Sequence, residues 1–205
     1  MGLVNYQRIF HSLILVTFLS LGYAVGQNTG VDWIWSGAVT TTSAIVKAKV
    51  NVRAPCRLAV HPLELSENLM TFPDAGEATP DPNGIVTFNL EGLQSGTKYR
   101  YFLEIDDNRA AQGVFGTFRD GPMPSRIIFG SCASTGSNHE IWDRMRSLDP
   151  DLFIHMGDFH YENINQNDPA RFRKAFDSSL TSQRQGAFYR TVPIAYVWDD
   201  HDFGP

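Results

Sequence analysis

The sequence predicts an all-β sandwich followed by the first β-α-β-α-β stretch of an α/β domain. Three observations carry that expectation. Apolar and polar residues alternate at period two through much of the first 120 residues. The run Arg119-Asp120-Gly121-Pro122-Met123-Pro124-Ser125 then breaks the pattern. Beyond it, short apolar runs alternate with segments at helical spacing, which is the signature of a parallel sheet with crossovers. The chain has 205 residues, 42% of them from the set AVILMFWYC, so two small domains with ordinary cores fit. Charged residues are 19% and the net charge is −5, which offers no basic face for nucleic acid. Two cysteines exclude a disulfide-built scaffold and a thiolate zinc cage.

Residues 1–26 read as a secretory signal peptide. No acid precedes Arg8, residues 9–21 are almost wholly apolar, and Ala24-Val25-Gly26 supplies small residues for cleavage. The apolar run is shorter than the ~20 residues a spanning helix needs, and no later segment could span a membrane. The expected location is extracellular or in the secretory pathway, with no stable membrane span after cleavage.

Residues 31–120 carry the sandwich expectation. Ala44, Val46, Ala48 and Val50 alternate with Ser43, Lys47 and Lys49, as a half-buried strand does. Residues 56–60 are a second strand, and residues 85–90 follow the turn Asp81-Pro82-Asn83-Gly84. Residues 97–105 alternate Tyr99, Tyr101, Leu103 and Ile105 against Arg100, Phe102 and Glu104. Asp106-Asp107-Asn108 is a turn, and residues 113–118 close a hairpin. Leu93-Gln94-Ser95-Gly96-Thr97-Lys98-Tyr99 resembles the tyrosine corner of fibronectin type III or Ig-like modules, where a Tyr hydroxyl satisfies backbone across a strand crossing. Trp33 and Trp35 are expected in the core, Cys56 as a small core residue and His61 in a loop. Such modules are more often spacers or docking surfaces than catalysts.

Residues 126–205 change period. Residues 126–129 form a short apolar strand. Ser137 and Glu140 match a capping box, and Ile141, Met145 and Leu148 fall at helical spacing, which predicts a helix over 138–148. Residues 152–156 are a second strand, ended by Gly157. Asp168 caps a helix with Pro169 at its first position, and Phe172, Ala175, Phe176 and Leu180 line one face. Residues 194–198 are a third strand. In open α/β sheets, ligands bind beyond the carboxyl ends of the strands. Ser131 and Cys132 follow the first strand, Asp158 and Tyr161 the second, and Asp199, Asp200, His201 and Asp202 the third. Gathered on one rim, these groups repel unless cations bridge them. Carboxylates suit Ca²⁺ or Mn²⁺, while phenolate and thiolate suit ferric ion or zinc, so a dinuclear hydrolytic site is the working hypothesis. Solvated acidic turns are the plainer alternative. His155 is expected as a hydrogen-bonded core residue, and His139 and His160 as loop residues. A Cys56–Cys132 disulfide is compatible with secretion, although it would tether the sandwich to the rim.

Phe129-Gly130-Ser131-Cys132, His155-Met156-Gly157-Asp158-Phe159-His160-Tyr161 and Trp198-Asp199-Asp200-His201-Asp202-Phe203-Gly204-Pro205 resemble successive motifs of the PhoD-type alkaline phosphatases. These belong to the calcineurin-like metallophosphoesterases, and the Gly-Asp-x-x-Tyr element is similar to that of purple acid phosphatases. The resemblance spans residues 31–205, because the family commonly places a sandwich before its catalytic domain. It implies hydrolysis of phosphate monoesters or diesters of small molecules by a metal-bound hydroxide at an Fe³⁺ and Ca²⁺ pair. By position, Cys132 and Tyr161 would bind the ferric ion, Asp158 would bridge, and Asp200 would bind Ca²⁺. His201 would contact the phosphoryl group or protonate the leaving oxygen, and Asp202 would orient His201. Asp199 stands where the wider superfamily has Gly. The family's further Gly-His and Gly-His-x-His motifs, which complete both metal sites, do not occur up to Pro205. Residues 121–205 also offer few strands for a covered parallel sheet. The chain is therefore expected to be the N-terminal part of a longer protein, inactive in this length. The alternative reading is a non-catalytic extracellular sandwich with a vestigial metal site.

Overall fold

The computed structural model describes residues 30–64 and 76–204; the signal-peptide reading at residues 1–26 lies outside the described residues. The first part of the chain forms β1 (Val31–Gly37), β2 (Ala44–Val50), β3 (Cys56–Pro62), β4 (Glu77–Ala78), β5 (Ile85–Leu90), β6 (Lys98–Ile105) and β7 (Asn108–Gly116). The second forms β8 (Ile127–Gly130), α1 (Ile141–Ser147), β9 (Leu152–Met156), α2 (Pro169–Thr181), α3 (Gln183–Tyr189), β10 (Ile194–Val197) and α4 (Asp200–Phe203). The β-α-β-α-β order is present, with α3 added before the third strand.

Two sheets result. One is four-stranded, in the order β4-β3-β6-β7; the other is six-stranded, in the order β5-β2-β1-β10-β9-β8. Strands β5, β2 and β1 share a core with the four-stranded sheet, built on Ile34, Val46, Leu58, Tyr99, Leu103 and Phe115. The alternation in β2 buries alternate residues from Ala44 to Val50, as its period requires. The tyrosine corner is formed: the Tyr99 hydroxyl accepts the Gln94 amide at 2.7 Å. Among the described residues no helix is long and apolar enough to cross a membrane.

The sheet continues from the sandwich into the second part of the chain. β1 pairs in parallel with β10 through Gly37 and Ile194. A side chain at Gly37 would meet the Ile194 carbonyl oxygen at 2.5 Å, so this approach needs glycine. β10, β9 and β8 are parallel neighbours. One of their faces is covered by helices over an aromatic core of Trp142, Phe153, Phe159, Phe188 and Tyr189.

Several local expectations are corrected. Trp33 and Trp35 are not in the sandwich core, because β1 turns Ile34 and Ser36 that way. Trp33 Nε1 instead donates to Asp177 of α2 at 2.8 Å, and Trp35 packs on the aromatic core. His61 lies in β3 opposite Arg100, not in a loop. Helix α1 starts at Ile141 with no side-chain cap from Glu140. The Ile141 amide bonds the His139 ring at 3.2 Å, so the Ser137–Glu140 box has no role to fill. Asp168 caps α2 as expected, accepting from Ala170 and Arg171. Both cysteines are free, Cys56 buried and Cys132 exposed.

Candidate metal centre

The register of the parallel strands brings three loops to one rim. Gly130 pairs with His155, and Met156 with Val197, so the chain leaves β8, β9 and β10 side by side. The turns are tight. Cys132 and Asp158 adopt φ of +57° and +56°, where residues with a Cβ are strained, and Gly157 lies at +99°. Such strain clusters at functional sites and costs about 1–3 kcal/mol per residue. A Cβ on Gly157 would meet the Asp199 Cβ at 2.6 Å, so the second and third loops are in direct contact. The Cys132 amide donates to the Gly157 carbonyl at 3.3 Å, which ties in the first loop.

These turns gather the residues singled out in the sequence. Among the described residues, Asp158, Asp200 and His201 offer ligand atoms that all lie within 4.8 Å of one another. The Cys132 thiol is 3.5 Å from Asp158 Oδ2. The Tyr161 ring stacks on the His201 ring with centroids 4.1 Å apart. All five therefore meet at one rim. His201 is held twice: its amide donates to Asp158 Oδ1 at 3.4 Å, and its Nδ1 lies 3.2 Å from the Glu162 carbonyl.

The Asp202 carboxylate is tied to backbone. The residue is 5% exposed. Its carboxylate accepts the amides of Asp158 (2.8 Å), Phe159 (2.8 Å) and Asp199 (3.0 Å). Asp199 caps α4 and completes a capping box with Asp202, so its carboxylate faces the helix start.

The donor set fits a cation. Asp158 is only 4% exposed, yet its carboxylate contacts are long, at 3.4 and 3.5 Å. Among the described residues no lysine or arginine pairs with Asp158 or Asp200. A buried carboxylate without a counter-charge calls for one. Two carboxylates, an imidazole, a thiol and a phenol are together competent for hard or borderline metals.

Two histidines lie buried behind the rim. His155 is 1% exposed, and its Nδ1 has no hydrogen-bond partner. His160 lies in the loop after β9, as expected, and is buried there; its Nδ1 accepts from the Glu162 amide at 3.3 Å and its Nε2 has no partner. Burial holds both imidazole pKa values down, against the opposing pull of the Asp202 and Asp158 carboxylates. The available signal for His160 was its place between Asp158 and Tyr161, where the loop is pinned at both ends.

Residues 127–204 match the family model of the PhoD-like phosphatases. This segment is similar to members of that family. The PhoD-like segment starts at β8 and ends just after α4, so it contains every residue of the rim. The fold is similar to that of a solved PhoD structure, with a TM-score of 0.71 and 16% identity over 87% of this chain and 40% of that one. It is also similar to purple acid phosphatase PPD1 from yellow lupin seeds, with a TM-score of 0.53 and 15% identity over 82% of this chain and 35% of that one. The chain thus spans about 40% of the length of that PhoD. Among curated proteins none matches the sequence.

Proposed function

We propose that the rim belongs to a metal-dependent phosphoester hydrolase acting on phosphate monoesters or diesters of small molecules. The observation that carries this reading is the convergence of Asp158, Asp200 and His201 within 4.8 Å inside the PhoD-like segment. Cys132, Tyr161 and Asp158 would hold a ferric ion, and Asp158 with Asp200 would hold Ca²⁺. Bound there, the cations would supply an activated water and neutralise charge on the phosphoryl oxygens.

The chain's own groups divide the remaining work. The Glu162 carbonyl beside His201 Nδ1 favours a proton on that nitrogen, which leaves Nε2 as the position that would take up and release a second proton. From Nε2 it can pass to a leaving ester oxygen. The stacked Tyr161 ring limits rotation of the imidazole. Asp158, buried and fixed by a strained turn, would form the bridge between cations. The Tyr99 corner supports a fibronectin III-like module over residues 31–120, and the strand order supports the opening of a metallophosphoesterase domain over 126–205. The leader-like residues 1–26 would direct the protein into the secretory pathway.

Asp158→Asn in the full-length protein tests the function. Bound metal, read by elemental mass spectrometry, should fall by roughly tenfold or more, and hydrolysis of p-nitrophenyl phosphate and bis-p-nitrophenyl phosphate should fall with it. Unchanged metal content and unchanged hydrolysis would sink the assignment.

A further inference from the structure

Asp202 stands outside the group of donor atoms, yet three backbone amides converge on its carboxylate. Oδ2 accepts from Asp158 and Asp199, and Oδ1 from Phe159. These amides belong to loops that leave two different strands, β9 and β10. One of them is the amide of Asp158, whose φ of +56° is unfavourable for a residue with a side chain. Asp202 therefore fastens the turn that aims Asp158 to the turn that presents Asp200 and His201. The contact of Gly157 with Asp199 shows how little play the two loops have.

We propose, resting on the metal-centre reading above, that Asp202 is a positioning residue. It sets the metal affinity of the site by locking residues 157–159 and 199–201 into one frame, without ligating the metal. The lock is specific to a carboxylate. Three N–H donors face two acceptor oxygens; an amide side chain has one oxygen and an NH₂ group that would oppose a backbone N–H. Asp202→Asn thus breaks the lock while keeping the volume. Partners that orient metal ligands typically change affinity by about 10–100-fold.

The test uses Mn²⁺ as the probe on full-length, chelator-stripped protein, with unbound Mn²⁺ read by electron paramagnetic resonance. Wild type, Asp202→Asn and Asp158→Asn are titrated in parallel. Asp202→Asn should weaken binding by roughly 10–100-fold while the protein stays folded by circular dichroism. Wild-type affinity in Asp202→Asn, alongside weakened binding in Asp158→Asn, would make Asp202 merely structural and overturn the inference with the centre intact. Wild-type affinity in both variants would remove the metal centre and this inference together. Amide hydrogen exchange on metal-free wild type gives an answer that does not depend on the variant folding. The Asp158, Phe159 and Asp199 amides should be protected, and exchange at exposed-loop rates would overturn the lock.

Discussion

His155 sits on β9 between Phe153 and Phe159, with ring centroids 5.7 and 4.9 Å away. Burial holds its pKa below the ordinary 6.5. In the unfolded chain it takes up its proton near pH ~6.5, before the folded protein does. Its contribution to stability is therefore complete above that pH and is lost as pH falls towards the lowered folded value. His160 acts with the same sign. In metal-free protein the urea midpoint should drop between pH 7 and pH 5.5, and His155→Phe should flatten that dependence in part. An identical slope in the variant would show that His155 does not contribute. Residues at this scale were legible where chemistry is local. Cys132, Asp158, Tyr161, Asp200 and His201 each follow a strand end directly. The burial of His160 and the bonds of Asp202 to the Asp158 and Phe159 amides were not legible, because both depend on groups more than ten residues away.

At the scale of elements, period two identified the strands because one face of each must be buried. The corner before β6 was equally clear, since its hydrogen bond closes over five residues. Tyr99→Phe keeps the ring stacked on Phe115 and leaves the Gln94 amide without its acceptor. The loss should be about 1 kcal/mol in urea denaturation. Unchanged stability would mean that the amide finds another partner. Helix α1 shows the opposite case. Ser137 and Glu140 have the residue types of a cap, but the His139 ring takes the first amide. Cap motifs specify candidates, and the competition among neighbouring acceptors decides between them.

At the scale of the molecule, the two parts of the chain are joined by more than the segment between β7 and β8. Asp177 of α2 receives the Trp33 indole and pairs with Lys49, both from the sandwich side. The Arg190 carbonyl accepts from the Val114 amide and the Tyr101 hydroxyl. Asp177→Ala should cost about 1–2 kcal/mol, discounted for the partial exposure of the ion pair. Trp33 fluorescence should shift to longer wavelength as its indole loses this partner; an unshifted spectrum would show the seam to be independent of Asp177.

The two classes of element, their order along the chain and the residues able to bind a cation follow from periodicity and strand-end chemistry, which act over a few residues and are written in the sequence directly. The tertiary structure decided that β1 joins β10, so that strands of the sandwich and of the α/β part share one six-stranded sheet, with Trp35 packed on the aromatic core and Trp33 bonded to α2. It also decided which backbone amides Asp202 holds. Both outcomes depend on which distant surfaces meet. Sheet edges and buried carboxylates take whatever partners the packed chain brings within hydrogen-bond reach, and no local pattern encodes that choice.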